Sequence, residues 1–300
     1  MIHLTALLLT LLLVSAVPAA TGEWDTMSDT WVATDALGRS LPTQAECGAP
    51  REGRFVGIFY FLWLGQHGTG GPFDISSILA EKPDDQKWGP HAAFHHWGES
   101  EIGYYLSDDP WVMRRHCRML VDAGIDVVIF DVTNGFRYTE NYLTVCKTFR
   151  RIRESGQETP RITFIANSSS ELVVQGLYEE FYSKNLYPEL WFRWQGKPLM
   201  LASPEKVPQP ARDFFTFRQS WAWHDPNGWF GDGREKWPWL DRYPQAYGWR
   251  VDKNTPEATS VAVAEHPISN IGRSNLNGVQ PAPADQQPEK GIHFAQQWNR

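Results

Sequence analysis

The sequence predicts an α/β fold built on a parallel sheet, and three observations carry that expectation. Short apolar runs without alternation recur along the chain, as strands covered on both faces require. Segments with helical spacing and terminal cap residues separate them. Polar or acidic residues stand where the runs end, and in parallel α/β folds the loops at the C-terminal strand ends carry the chemistry. The clearest unit is GIDVVIFDVTNG, residues 124–135. Ile125, Val127, Val128, Ile129 and Phe130 lead into Asp131, and Thr133, Asn134 and Gly135 turn the chain away. Asp131 is therefore the first functional candidate, with a loop-capping or ion-paired aspartate as the alternative. Asn134, in the turn behind it, is a candidate substrate contact.

Taken in order, the chain opens with MIHLTALLLTLLLVSAVPAA, which holds no Lys, Arg, Asp or Glu and ends in small residues. Its apolar run is short for a bilayer span and reads as a signal peptide over residues 1–20, although the usual positive charge is missing from its start. The mature protein is then expected to be soluble and either secreted or periplasmic, with no membrane association after cleavage. Residues 21–53 show little periodicity and are taken as an N-terminal arm. RFVGIFYFLWLG, residues 54–65, suits a first buried strand. The loop over 66–109 is long, and irregular loops of that size are usually functional. It supplies Trp97, Glu99, Tyr104 and Tyr105 as candidate cleft-lining residues, with ordinary loop packing as the alternative. His91, His95 and His96 also lie there but stand at no recognised metal-ligand spacing.

Asp109 and Pro110 form a good helix start, Val112, His116, Met119, Leu120 and Ala123 recur at helical spacing, and Gly124 sits where a C′ glycine belongs. A second helix is expected over 139–155, with Tyr142, Val145, Cys146, Phe149 and Ile152 on one face and Gly156 behind it. RITFIANS, 161–168, gives the next strand and ends at Asn167, another candidate substrate contact. Asn167-Ser168-Ser169 also matches a glycosylation sequon. Ser168 and Glu171 have capping-box spacing ahead of a helix over about 170–184. ELWFRWQGKPLMLAS, 189–203, holds two apolar runs around Gln195-Gly196, and DFFTFRQSWAW, 213–223, gives a further strand. TSVAVAEHPIS, 259–269, repeats the central pattern, an apolar run ending in Glu265 and followed by His266. GIHFAQQWNR then begins a helical stripe at the end of the sequence. The strand expectations are 54–64, 125–131, 161–167, 198–202, 214–220 and 260–265.

Composition narrows the function. About 280 residues follow the leader, compatible with one large α/β barrel or two smaller domains. A formal charge of -7 and a pI near 5.7 argue against nucleic acid or an anionic membrane as partner. Three cysteines, Cys47, Cys117 and Cys146, are too few for a disulfide framework, and the latter two fall on apolar helix sides as buried thiols. The outlying numbers are 15 Trp, 10 Tyr and 16 Phe, and Trp221, Trp223, Trp229, Trp237, Trp239 and Trp249 gather in and around one loop. Flat aromatic faces match the C–H faces of sugar rings, so a carbohydrate is the expected partner, with use of Trp in the core as the alternative.

FVGIFYFLWLG, HHWGESEIGYYLSDDPWVMRRHCRMLVDAGIDVVIFDVTNG, KPLMLAS and SVAVAEHPISNIGRS leading to GIHFAQQW together resemble exported bacterial glycoside hydrolases of the endo-α-mannosidase and α-1,3-glucanase type, over residues 54–300. The resemblance implies a (β/α)8 TIM barrel with a sugar cleft at the C-terminal strand ends. Such relatives continue into a strand with a Trp-Asn-Glu-Trp-like motif that is missing here, so the barrel of 54–300 is expected to lack its last one or two strands.

The resulting expectation is an exported glycoside hydrolase. Cleavage of a glycosidic bond needs one protonated and one ionised carboxyl across the scissile bond. Glu265 is assigned as acid, Asp131 as base or nucleophile, and Glu99 is held in reserve. Trp97, Tyr104, Tyr105, Asn134, Asn167, Trp221, Trp223 and His266 are the candidate sugar contacts. No cofactor and no metal is assigned. Two alternatives stand beside this: a carbohydrate-binding barrel without catalysis, and a metal-dependent hydrolase using His91, His95, His96 or His266. The sugar, its linkage, the stereochemical course and the oligomeric state stay open.

Overall fold

The computed structural model describes residues 34, 38, 40, 42–49, 51–64, 71–91, 93–96, 98–221, 227–241, 243–263, 279 and 292–299. A short helix, α1 (Gln44–Cys47), precedes the first strand of the main sheet, β1 (Gly57–Tyr60). The loop after β1 carries a small parallel pair, β2 (Phe73–Asp74) and β3 (His95–His96), with helix α2 (Ile75–Ala80) between them. Helix α3 (Pro110–Asp122) then leads to β4 (Val127–Asp131), α4 (Thr139–Glu154), β5 (Arg161–Ile165) and α5 (Ser170–Leu177). The hairpin β6 (Arg193–Trp194) and β7 (Lys197–Leu201), helix α6 (Gln209–Phe214) and β8 (Thr216–Arg218) follow. A second hairpin, β9 (Tyr247–Gly248) with β10 (Ala258–Thr259), and helix α7 (Ile292–Trp298) complete the described elements. No described helix is long and apolar enough to cross a membrane.

The parallel strands β1, β4, β5, β7 and β8 stand side by side in chain order, each next to its predecessor. A doubly wound sheet would reverse direction at a switch point, whereas a (β/α) barrel keeps this order. The sheet is also curled. Laid flat, β1 and β8 would be about 19 Å apart, four strand spacings of about 4.8 Å. Yet the Phe59 ring on β1 meets Trp239 at 4.3 Å, and Trp239 stacks on Trp221, just past β8, at 5.9 Å and 21°. Beyond β8 the ladder continues irregularly. Gln219 and Trp237 exchange bonds with the neighbouring backbone, and Glu235 donates to Trp249 O at 2.6 Å.

Alternation along the strands sorts the core into two layers. Val128, Phe130, Ile162, Phe164 and Met200 face α3, α4 and α5, joined by Met113, Cys117, Val121, Tyr142, Val145 and Phe149. Val127, Ile165, Leu199 and Leu201 face the inside of the curl with Phe59, Ile129, Trp194, Trp237 and Trp239. The α3 start follows its sequence signal: Asp109 Oδ1 accepts from Trp111 N at 2.8 Å and Val112 N at 3.3 Å, with Pro110 at the first position. Gln195 and Gly196, both at positive φ, make the tight turn of the β6–β7 hairpin.

Three local expectations are corrected and one is refined. Ser168 caps no helix: α5 starts one residue later, after Ser169 in the left-handed region and without a side-chain cap, while Ser168 N donates to Thr133 O at 2.8 Å. The helix expected over about 170–184 does form, running from Ser170 to Tyr182, with Tyr178–Tyr182 in π geometry burying Phe181 and Tyr182. Met119 is 54% exposed, since the buried stripe of α3 runs through Val112, Met113, Cys117 and Val121. Residues 260–263 are not a strand. Their polar groups bond side chains instead, Ala262 N donating to Gln297 Oε1 at 2.5 Å and Ser260 O accepting from Gln245 Nε2 at 2.8 Å.

Candidate functional site

Asp131 is the last residue of β4 and, by alternation with Val127 and Ile129, belongs to the inner face of the curl. It is 2% exposed, and its Oδ1 accepts from Thr133 N at 2.9 Å, which fixes the turn that follows. Asn134 in that turn is exposed and held at both ends of its amide: Oδ1 accepts from Phe136 N at 3.2 Å, and Nδ2 donates to Tyr138 Oη at 2.5 Å. Tyr138 sits at φ 53 to make this contact. Burial, followed by the nearby Asp131 charge, pushes its phenol up against the opposing Asn134 bond. The turn after β5 is tied to the turn after β4 through Val132 N to Ile165 O at 3.0 Å and Ser168 N to Thr133 O at 2.8 Å. Asn167 is thereby brought beside the Asp131 turn, with its side chain exposed.

Trp221 supplies the opposite side. With Trp239 and Phe59 it forms an aromatic bridge across the inside of the curl, joining the end of β8 to β1. Phe59 pairs in register with Ile129, one inward position below Asp131, or about 6.6 Å along the strand. The Trp239 indole N–H is buried without an acceptor among the described residues. The residues at the ends of β4, β5 and β8 are thus a buried carboxylate, two exposed amides in the adjoining turns and a stacked indole pair.

The long loop after β1 forms a separate group. Tyr104 is 39% exposed, packs tilted against His96 at 4.7 Å and bonds Asp74. The Ser77 hydrogen bond, then that of Tyr104, holds the Asp74 carboxyl down at about 2, and Asp74 in turn raises the Tyr104 phenol. Glu99 is exposed and lies within electrostatic reach of Tyr104. Tyr105 does not line the inner face. Its ring packs edge-on against His116 of α3 at 5.5 Å, and burial raises its phenol. Both ring nitrogens of His95 point at carbonyl oxygens, Ala93 O and Trp88 O at 2.9 Å, which can accept from a ring N–H, so the imidazole edges are directed at backbone and not at the neighbouring histidine. Trp97, Trp223, Glu265 and His266 lie outside the described residues.

One buried polar cluster escaped the sequence reading. Arg218, on the inner face of β8 and 2% exposed, makes a two-pronged pair with Glu257 at 2.6 and 2.7 Å. Glu257 also accepts from Gln195 Nε2 at 2.9 Å and from the Trp194 and Trp237 indoles at 3.3 Å. Burial pushes this carboxyl up, but the Arg218 hydrogen bonds and charge, with the indole donors, outweigh it and hold the group below the usual carboxylate range. Arg218 is in register with Leu201, Leu201 with Ile165, and Ile165 with Asp131, so the two charged residues share one row of the sheet. Their backbones are three strand spacings apart, about 14 Å around the curl. The Arg218 fork turns to Trp194 and Gln195, beside the N-terminal end of β7, so the pair fills the inside of the curl on the side where a barrel's stability residues sit. Its sequence signal is TFRQS, where Thr216, Arg218 and Ser220 alternate with Phe217 and Gln219.

No family model and no curated protein matches the chain. Among solved structures, the GH99 endo-alpha-mannosidase from Bacteroides thetaiotaomicron in complex with BIS-TRIS-Propane is similar at 17% sequence identity and a TM-score of 0.36, over 55% of this chain and 52% of that one. Another structure of the GH99 endo-alpha-mannosidase from that organism is similar at 18% identity and a TM-score of 0.33, over 55% of each chain. The chain spans about half the length of the solved structures it matches. Both belong to the endo-α-mannosidase group that the sequence motifs resemble.

Proposed function

We propose that the protein is an exported glycoside hydrolase that binds its carbohydrate on the inner face at the C-terminal strand ends. What supports this reading is that Asp131 ends β4 on the inner face of the curl, the face spanned by the Trp221–Trp239–Phe59 aromatic bridge, with Asn134 and Asn167 in the adjoining turns. A sugar ring would present C–H groups to the indoles and hydroxyls to the amides and the carboxylate. Asp131 acts as base or nucleophile, and Glu265 as the acid that partners it.

A second reading, sugar binding without hydrolysis, has its own support in the Asp131 Oδ1 bond to Thr133 N, which commits part of that carboxylate to holding a turn. One assay separates the two. The full chain is incubated with a panel of neutral oligosaccharides and polysaccharides, and both equilibrium binding and released reducing ends are measured. Binding with release supports the hydrolase, binding without release supports the second reading, and absence of binding across the panel overturns both.

A further inference from the structure

On the outer surface, away from the strand ends, α3 and the last turn of α4 flank a cavity of about 260 Å³. Its walls carry Arg114, Arg118 and Arg151, and its floor is Cys117, Val121 and Ile152. Three guanidinium groups converge on one recess of a chain whose formal charge is -7. Arg118 is neutralised by Asp122, bonding it through Nε at 3.0 Å and Nη2 at 2.7 Å. Arg114 and Arg151 have no ion pair among the described residues, and both are exposed. The carbonyls that end α4 accept from backbone: Arg151 O from Ser155 N at 3.2 Å, Ile152 O from Ser155 N at 3.0 Å and Gln157 N at 3.3 Å, and Arg153 O from Gly156 N at 2.9 Å.

We propose that this groove binds a small organic phosphate or sulfate ester, its anionic head held by Arg114 and Arg151 and its apolar body resting on Val121 and Ile152. Guanidinium forks match tetrahedral oxyanions in geometry as well as charge. The volume lies below the roughly 300 Å³ at which pockets for drug-sized ligands begin, so the ligand is small. Cys117 contributes surface only. Burial pushes its thiol up to about 12, so it presents a neutral, unreactive sulfur to the ligand. Glu158 also lines the groove, and its charge opposes anion binding.

The test is isothermal titration calorimetry on the full chain in chloride buffer at constant ionic strength, with phenyl phosphate, phenyl sulfate and inorganic phosphate as probes. Saturable binding of the phenyl esters, tighter than that of inorganic phosphate, is expected. Arg114→Gln and Arg151→Gln should each weaken it about tenfold, the loss of one charge-assisted contact. Glu158→Gln should tighten it, and Arg250→Gln, at an exposed position in the distant 249–250 segment, should leave it unchanged. Matching melting curves confirm that the variants fold. Non-saturating heats, wild-type affinity in both arginine variants, or an equal loss in Arg250→Gln would overturn the proposal. So would recruitment to phosphatidylcholine vesicles containing phosphatidic acid when the free esters do not bind, which would make the patch a lipid contact.

Discussion

Replacing Arg218 by methionine keeps most of the side-chain volume and removes the charge that faces Glu257 inside the curl. The Glu257 side chain is only 12% exposed, so its carboxylate would be left buried with Gln195 and two indoles as remaining donors. Removing one partner of a buried pair costs about 3 to 5 kcal/mol. The surviving donors place Arg218→Met near the bottom of that range, at about 3 kcal/mol. Glu257→Leu should cost more, about 5 kcal/mol, because it strands a guanidinium that is 2% exposed with Phe217 O as its remaining acceptor among the described residues. The double variant should recover to within about 2 kcal/mol of wild type, the residue being the indole and amide donors left without an acceptor. Urea unfolding followed by circular dichroism and tryptophan fluorescence gives all three values. The pH dependence is a second check. Glu257 has a folded pKa below its unfolded value of 4.5, so its contribution is present above that value and lost as pH falls through the folded one. Arg218→Met should remove that part of the acid sensitivity. A loss below about 1 kcal/mol in both single variants would refute the pair as a structural centre.

Other expected outcomes follow from the same geometry. Trp221→Ala and Trp239→Ala should each weaken oligosaccharide binding by about 1 to 3 kcal/mol, read by titration on the folded protein, and unchanged affinity would make the stack core packing alone. His116 is depressed by burial and then by Arg115, and its Nδ1 lies 2.9 Å from Tyr60 Oη. Its neutral form is therefore favoured in the folded state, so the stability it contributes is present above pH 6.5 and lost as pH falls through the folded value. His116→Gln should flatten the fall in melting temperature between neutral and mildly acidic pH, and an unchanged slope would exclude His116 as a source. A Cβ on Gly248 would lie 1.7 Å from Lys236 O, so Gly248→Ala should cost about 2 to 3 kcal/mol by urea unfolding, and a neutral result would show that the two backbones do not approach so closely.

What could be read in the sequence was what local chemistry dictates. Asp109-Pro110 starts α3 and Gly124, at φ 70, follows its end; the apolar run before Asp131 forms β4; Cys117 and Cys146 are buried free thiols. The parallel order of the strands followed from the alternation of helix and strand signals. The contacts that needed tertiary partners were hidden. Ser168 has the spacing of a cap but gives its N–H to Thr133, and Tyr105 looks like a cleft residue but is drawn to His116 across the helix layer. Arg218 gave only a faint polar alternation, because its partner Glu257 lies 39 residues on, in a stretch with no strand pattern. Trp239 stood among six clustered tryptophans, and nothing local distinguished it as the one that bridges β8 to β1.

The central claim is that sugar chemistry takes place at the strand-end face around Asp131. The most direct measurement is the rate of reducing-end release by wild type and Asp131→Asn on whichever carbohydrate the panel shows to bind. Asparagine keeps the oxygen that accepts from Thr133 N, so the turn and the melting temperature should persist while the charge is lost. The account predicts a fall in turnover of about 10³-fold or more with sugar affinity nearly unchanged. Equal turnover in the two proteins, with both folded, would contradict it.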